Sequence, residues 1–217
     1  MSRIIAGSAG GRRLQTPVGD RTRPTTDRVR EAFFSSLGAW NGSGDGPAET
    51  HLVGLSFLDL FAGSGGVGLE AASRGAGPVV LVEADGRTAQ LIVRNASDVR
   101  LDVSVRTAKV ETFLGGPAPA EKFDVVWADP PYAFTTEALN DLLVQVRDRW
   151  VLPNGVIVVE RGARSELPTV EGCEVWTRPY GETTLVWLAP LAPDENTTGQ
   201  DRTDQGSTDQ GSTEENR

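Results

Sequence analysis

Leu55-Ser56-Phe57-Leu58-Asp59-Leu60-Phe61-Ala62-Gly63-Ser64-Gly65-Gly66-Val67-Gly68 opens as an apolar run and then breaks into glycine. Leu55 to Leu60 reads as a buried strand and Gly66 to Ser73 as a helix, so the glycines fall at a strand-to-helix turn. Gly63-x-Gly65-x-x-Gly68 has the spacing of a dinucleotide cradle, where missing side chains let backbone approach a ligand at a helix N-terminus. Alone the match is weak, because the same glycines serve a tight turn and close helix packing.

Strands and helices alternate on from this segment. Val79 to Glu83 reads as a strand, followed by a helix from Arg87 to Ser97. Asp102 to Thr107 is the next strand, with a short helix from Val110 to Leu114. Lys122 to Ala128 is the fourth strand, and Thr136 to Trp150 a long helix with Leu139, Leu142, Leu143 and Val146 inward. Val156 to Glu160 follows a turn at Pro153-Asn154-Gly155. The pattern predicts an α/β, doubly wound fold whose strongly apolar central strands are covered on both faces. Glu174–Thr177 and Thr184–Leu188, joined by Arg178-Pro179-Tyr180-Gly181-Glu182, read instead as a hairpin. Upstream, Arg3 to Thr16 suggests a short hairpin. Thr25 or Thr26 can cap a helix with Val29, Ala32, Phe33 and Leu37 inward. Gly42 to Pro47 is a flexible break.

The chain has 217 residues, 38% of them hydrophobic, with a mean hydropathy of −0.26. That length suits one core with appendages. No run approaches the roughly 18 apolar residues of a membrane span, and no apolar segment at the N-terminus suggests a secretory signal. Cys173 is the only cysteine and His51 the only histidine. These counts exclude an internal disulfide, a cysteine-cluster zinc site and most histidine-based triads, and they fit a cytoplasmic location. His51 is expected to be a solvated linker residue.

Charge is unevenly spread. The net charge is −9, yet residues 1–40 carry seven arginines against three acids. Arginine rather than lysine suits forked phosphate contacts, so this head is a candidate reader of a phosphate-rich surface. From Asp194 onward the chain has seven acids, no strongly apolar residue and a repeated Thr-Asp-Gln-Gly-Ser. Such a segment is expected to be disordered. The organisation expected is a basic hairpin and loop over 1–24, a catalytic domain over 25–190 and an acidic tail over 191–217.

Two carboxylates frame the cradle. Glu83, at the end of the second strand, can accept both hydroxyls of an adenosine ribose. Asp59 would repel a pyrophosphate but could meet a charged amino group. Ala108, Lys109 and Val110 stand where backbone N–H groups and an apolar wall could hold adenine. Asp129-Pro130-Pro131-Tyr132 closes the fourth strand, on the same edge of the sheet. Aromatic-ring amines are poor nucleophiles, so a catalyst must hold the nitrogen in line while its hydrogens point at acceptors. Asp129 offers a carboxylate and Pro130 a stiff carbonyl; Pro131 removes an N–H that could compete for it. Both acceptors gain strength as positive charge develops on nitrogen, and Tyr132 can lie over the base. The residues alone leave methyl transfer to an amine, a nicotinamide enzyme and a non-enzymatic RNA-binding protein as readings. Glu83 and Asp129 favour the first.

Residues 55–188 resemble the class I Rossmann-like methyltransferases, and Asp129-Pro130-Pro131-Tyr132 looks like their amino-methyltransferase signature. Residues 3–190 are more similar still to the bacterial RsmD family. The likeness is carried by Arg3-Ile4-Ile5-Ala6-Gly7, Gly11-Arg12-Arg13-Leu14, Arg23-Pro24-Thr25-Thr26-Asp27-Arg28-Val29-Arg30-Glu31 and the Asp59–Gly65 stretch. The resemblance implies a mostly parallel seven-stranded sheet with a C-terminal antiparallel hairpin. It implies S-adenosylmethionine as methyl donor, without a metal, and N2 of guanine 966 in 16S ribosomal RNA as target. The RNA would be presented in a 30S subunit or late assembly intermediate, to a monomer with no obligate protein partner and no membrane. The cofactor set implied is Asp59, Phe61, Ala62, Gly63, Ser64, Gly65, Gly68, Glu83, Ala84, Ala108, Lys109 and Val110. Asp129, Pro130, Pro131 and Tyr132 would be catalytic, and Arg12, Arg13, Arg23, Arg28 and Arg30 are RNA-facing candidates. Arg28 and Arg30 cannot point the same way on one helix, so at least one should be structural or lie at the pocket rim. The Gly42–Pro47 insertion could alter the rim of the cofactor pocket and is assigned no RNA contacts. The alternative target is adenine N6 in DNA or RNA, or a protein amine.

Overall fold

The structure, a computed structural model, describes residues 2–17 and 26–191. Two short strands, β1 (Ser2–Arg3) and β2 (Arg13–Leu14), pair antiparallel as the expected N-terminal hairpin. Helix α1 (Asp27–Trp40) follows, capped by the Thr26 side chain, which accepts from the Val29 backbone N–H. The strands and helices of the core are then β3 (Phe57–Leu60), α2 (Gly66–Ser73), β4 (Val79–Glu83), α3 (Gly86–Val99), β5 (Ser104–Thr107), α4 (Val110–Gly115), β6 (Phe123–Ala128), α5 (Thr136–Arg149), β7 (Val151–Gly162), β8 (Cys173–Tyr180) and β9 (Thr183–Pro190).

The seven-stranded sheet runs β5-β4-β3-β6-β7-β9-β8. β3 to β7 are mutually parallel, while β9 is antiparallel to β7 and β8 to β9. The order reverses between β3 and β6, the crevice where open sheets of this kind bind ligands. On one face, Leu58, Leu60, Val126 and Val159 pack under α4 and α5. On the other, Phe57, Trp127, Val158 and Trp187 meet α1, α2 and α3, with Phe33 against the Trp127 ring at 4.5 Å. No helix among the described residues is long and apolar enough to cross a membrane.

Two expectations about the C-terminal third were wrong in detail. Pro153-Asn154-Gly155 does not separate a helix from a strand. It lies within β7, where the pairing with β6 jumps from Phe123↔Val151 to Val125↔Val156. The extra residues bulge out of the ladder, which accommodates a proline that could not donate to it. The second hairpin turns on Gly181 and Glu182 alone, because Arg178, Pro179 and Tyr180 belong to β8. β8 is the outermost strand, where a proline is tolerated.

The N-terminal hairpin is fastened to the sheet domain. Glu70, fully buried, accepts from the backbone N–H groups of Ile5 at 2.6 Å and Ala6 at 3.0 Å and pairs with Arg74 Nε at 2.8 Å. Ser73 Oγ accepts from Ala9 N and donates to Ala6 O. Ile4, Ala9 and Leu14 pack on Leu69, Ala96 and Val99 beneath these bonds. His51 is not a free linker side chain: its ring Nε2 sits 2.7 Å from the Gly46 carbonyl oxygen. The Gly42–Pro47 loop also departs from expectation. It lies by the C-terminal end of α1, where Ser43 N donates to Gly38 O. The following segment bonds the far end of α2 through Leu52 N to Arg74 O, away from the glycine turn.

Candidate active site

The strand pairings align the ends of β3, β4 and β6 at one edge. Leu60 stands opposite Val82 and Ala128, so Phe61, Glu83 and Asp129 come next on their respective strands. The glycine turn is built there. Gly63 and Gly65 have φ of +53° and +84°, a region that glycine enters without steric cost. Phe61 is a non-glycine in the same region, with φ +65°, and such strain concentrates at functional sites. Gly68 is needed for a different reason: a Cβ there would come within 2.6 Å of the Leu81 side chain. This glycine lets α2 approach the sheet.

Asp59 is 1% exposed. Its Oδ2 accepts from Gly68 N at 2.8 Å, whereas Oδ1 is buried without a hydrogen-bond partner among the described residues. Burial raises the carboxyl to about pKa 7, opposed by the Gly68 N–H and reinforced by the negative charge of Glu83. A buried carboxylate with one unsatisfied oxygen fits a cationic ligand group. The Glu83 carboxylate is held from two sides, Oε2 by Gly63 N at 2.9 Å and Oε1 by Asp85 N at 2.8 Å. Each oxygen keeps acceptor capacity for a ligand hydroxyl. Ala84 is exposed beside it. Ala108 N donates to Glu83 O, Lys109 is exposed at the cap of α4, and Val110 is buried in the core under α4.

Asp129 is half-buried and interacts with other groups of the protein. Pro130 is buried and Pro131 exposed; the carbonyl of Pro131 accepts from Phe134 N at 2.8 Å, tightening the turn before α5. The Phe134 ring meets Phe61 edge-on at 5.6 Å, coupling this turn to the glycine cradle. Tyr132 is 86% exposed, a large aromatic surface open to a partner.

The arginines divide. Arg12 and Arg13 are exposed on the hairpin, and Arg28 is exposed on α1. Arg23 lies outside the described residues, as do the loop around it and the acidic tail from residue 192. Arg30 is not an RNA-facing residue: it is 2% exposed. Its Nη2 donates to Arg3 O at 2.6 Å and to Asp27 Oδ1 at 2.8 Å, and Nη1 reaches Ser2 Oγ at 3.4 Å and Gly66 O at 3.5 Å. It joins the basic hairpin to the start of α2. Sequence reasoning also missed Asn95, whose buried amide donates to Ser64 O in the cradle and Gln15 O in the hairpin segment. An asparagine on the inner stripe of α3 was the available signal. No group of three or more potential metal-ligating side chains comes together among the described residues.

A mostly parallel sheet of this order, ending in an antiparallel hairpin and carrying these motifs at one edge, defines a class I Rossmann-like methyltransferase fold. The family model described as "Conserved hypothetical protein 95" matches residues 2–189. YlbH of Bacillus subtilis (strain 168) is 36% identical over 187 residues, covering 83% of this chain and 95% of that protein. Ribosomal RNA small subunit methyltransferase D of Escherichia coli (strain K12) is 34% identical over 170 residues, covering 77% and 78%. The solved structure of yhhF from Escherichia coli superposes with a TM-score of 0.72 at 28% identity, covering 88% of this chain and 99% of that one. The chain belongs to the RsmD family of methyltransferases.

Proposed function

We propose that this protein methylates the exocyclic N2 of guanine 966 in 16S ribosomal RNA, acting as a cytoplasmic monomer on the small subunit or a late assembly intermediate. The observation that carries this reading is the grouping of Asp59, Glu83 and Asp129 at the ends of adjacent strands. S-adenosylmethionine supplies the methyl group when bound. Asp59 Oδ1 would hold its ammonium and Glu83 its ribose hydroxyls, with Phe61 to Gly65, Ala84, Ala108 and Lys109 around them, while Gly68 and Val110 act through packing of α2 and α4.

Asp129 and the Pro130 carbonyl then hold the N2 hydrogens. Their bonds direct the nitrogen lone pair out of the base plane and strengthen as the nitrogen becomes positive. Asp129 can also take the proton that the alkylated amine releases. Tyr132 covers the base face. Arg12, Arg13 and Arg28 meet phosphate, as does Arg23 from outside the described residues. Positioning of this kind can be worth about 7–11 kcal/mol of barrier.

The test is product analysis. Small subunits lacking modification are incubated with labelled S-adenosylmethionine, and the RNA is digested to nucleosides. The label should run with N2-methylguanosine and map to position 966. Label in N6-methyladenosine, or in protein alone, would overturn the proposal.

A further inference from the structure

We infer that Glu160 reads the Watson–Crick edge of the target base, its carboxylate accepting the N1–H of guanine beside the N2 amine held by Asp129. This rests on the guanine-N2 reading above. β6 and β7 run parallel, with Trp127 opposite Val158 and Ala128 opposite Val159. One further step along both chains sets Asp129 beside Glu160. Trp127 and Val158 lie in one side of the core, Ala128 and Val159 in the other. Because side chains alternate along a strand, Asp129 and Glu160 return to the face of the first pair. Neighbouring strands are about 4.8 Å apart, a separation at which two carboxylates can meet adjacent donors of one base edge.

Two further observations describe the surroundings of Glu160. Tyr132 approaches the end of its strand: Cε1 of that ring lies 3.8 Å from where a Cβ on Gly162 would stand. On its other side Glu160 faces Leu185 of β9, which is buried and apolar. Asp129 and Glu160 each interact with other groups of the protein, and an entering base competes with those interactions.

The chemistry discriminates by sign. Guanine presents the N1–H and N2–H donors side by side, and the two carboxylates accept one each. Adenine and 2-aminopurine present a lone pair at N1, which a carboxylate repels. A site whose buried polar group is left unpaired by the wrong ligand rejects it by large factors, up to about 10⁴-fold.

The experiment uses small subunits reconstituted with either guanine or 2-aminopurine at the target position. Methyl incorporation and S-adenosylmethionine affinity are measured for the parent, Glu160→Gln and Glu160→Asp. The parent should prefer guanine by more than about 100-fold in kcat/KM. Glu160→Gln, whose amide can donate to the N1 lone pair, should shrink that preference to about tenfold or less with cofactor affinity unchanged. Glu160→Asp, which keeps an acceptor, should retain the preference at a lower rate. A Glu160→Gln enzyme with the parent's preference, or a parent that accepts both bases equally, overturns the inference while leaving guanine methylation intact. A parent that places no methyl on guanine N2 fails the underlying function instead. Should Glu160→Gln lose cofactor binding through misfolding, Glu160→Asp decides: loss of its base preference overturns the inference, and retention supports it.

Discussion

The backbone N–H of Gly68 donates to Oδ2 of Asp59 at 2.8 Å and so occupies one of the two oxygens of that buried carboxylate. Oδ1 remains buried with no hydrogen-bond partner among the described residues. The cost of this arrangement shows in the carboxyl's affinity for a proton, raised from an ordinary 3.8 to about 7 by burial, with Glu83 adding to it and the Gly68 N–H opposing.

The pH dependence follows from that direction. Between about pH 4 and about pH 7 the native Asp59 keeps a proton that the unfolded chain has released. Its contribution to stability therefore falls as pH rises through this window, by up to about 4 kcal/mol, and is level above it. Asp59→Asn should gain on the parent in melting temperature as pH rises from 4 to 7. An ammonium ligand favours the ionised form, so binding S-adenosylmethionine should release a proton below about pH 7 and weaken with acidification by up to about tenfold per unit. Calorimetry at pH 6 in buffers of different ionisation enthalpy would detect that release. Affinity independent of pH from 5 to 7 would remove Asp59 from the cofactor contact.

Arg30 belongs to the architecture. Its guanidinium is held below its usual basicity by burial, countered by Glu70 and Asp27. Arg30→Ala would leave the Arg3 carbonyl without its donor and open a cavity between the hairpin and α2. The expected loss is about 2–4 kcal/mol, read from denaturant midpoints. Arg30→Lys should recover only part of it, because an ammonium cannot reproduce the fork. A variant of parental stability with weakened RNA binding would return this side chain to the RNA face.

Arg12 and Arg13 should instead carry salt-dependent affinity. Removing one arginine–phosphate pairing lowers the slope of log K against log salt by roughly 0.7–0.9. Replacing both by alanine should flatten the slope for small-subunit binding and leave S-adenosylmethionine affinity unchanged. An unaltered slope would move the RNA face elsewhere on the protein.

The features legible in the sequence were those set by local pattern. β3, β4, α2 and β6 announce themselves by apolar runs and glycines, and the strand pairings bring Asp59, Glu83 and Asp129 to the one sheet edge that their positions on the strands suggested. What was hidden depends on distant partners. Pro153 and Pro179 carry turn chemistry, yet a bulge and an edge position absorb them into strands. Arg30 looks identical to its exposed neighbour Arg28 until the Arg3 carbonyl and Gly66 are folded against it. Glu70 drew no reading from the sequence, and its burial is explained by the backbone of Ile5 and Ala6 together with Arg74. Glu160 follows the apolar run Val156–Val159 within β7, and its place beside Asp129 comes only from the β6–β7 register.

In the proposed mechanism Asp129 grips the target amine. The most direct measurement is the single-turnover methylation rate of Asp129→Ala on unmodified small subunits, with S-adenosylmethionine affinity determined on the same preparation. Loss of one acceptor aimed at developing charge should slow the rate by about 100- to 1000-fold, while cofactor affinity stays within about twofold because the contact is made to the base. A rate near that of the parent enzyme would contradict the account.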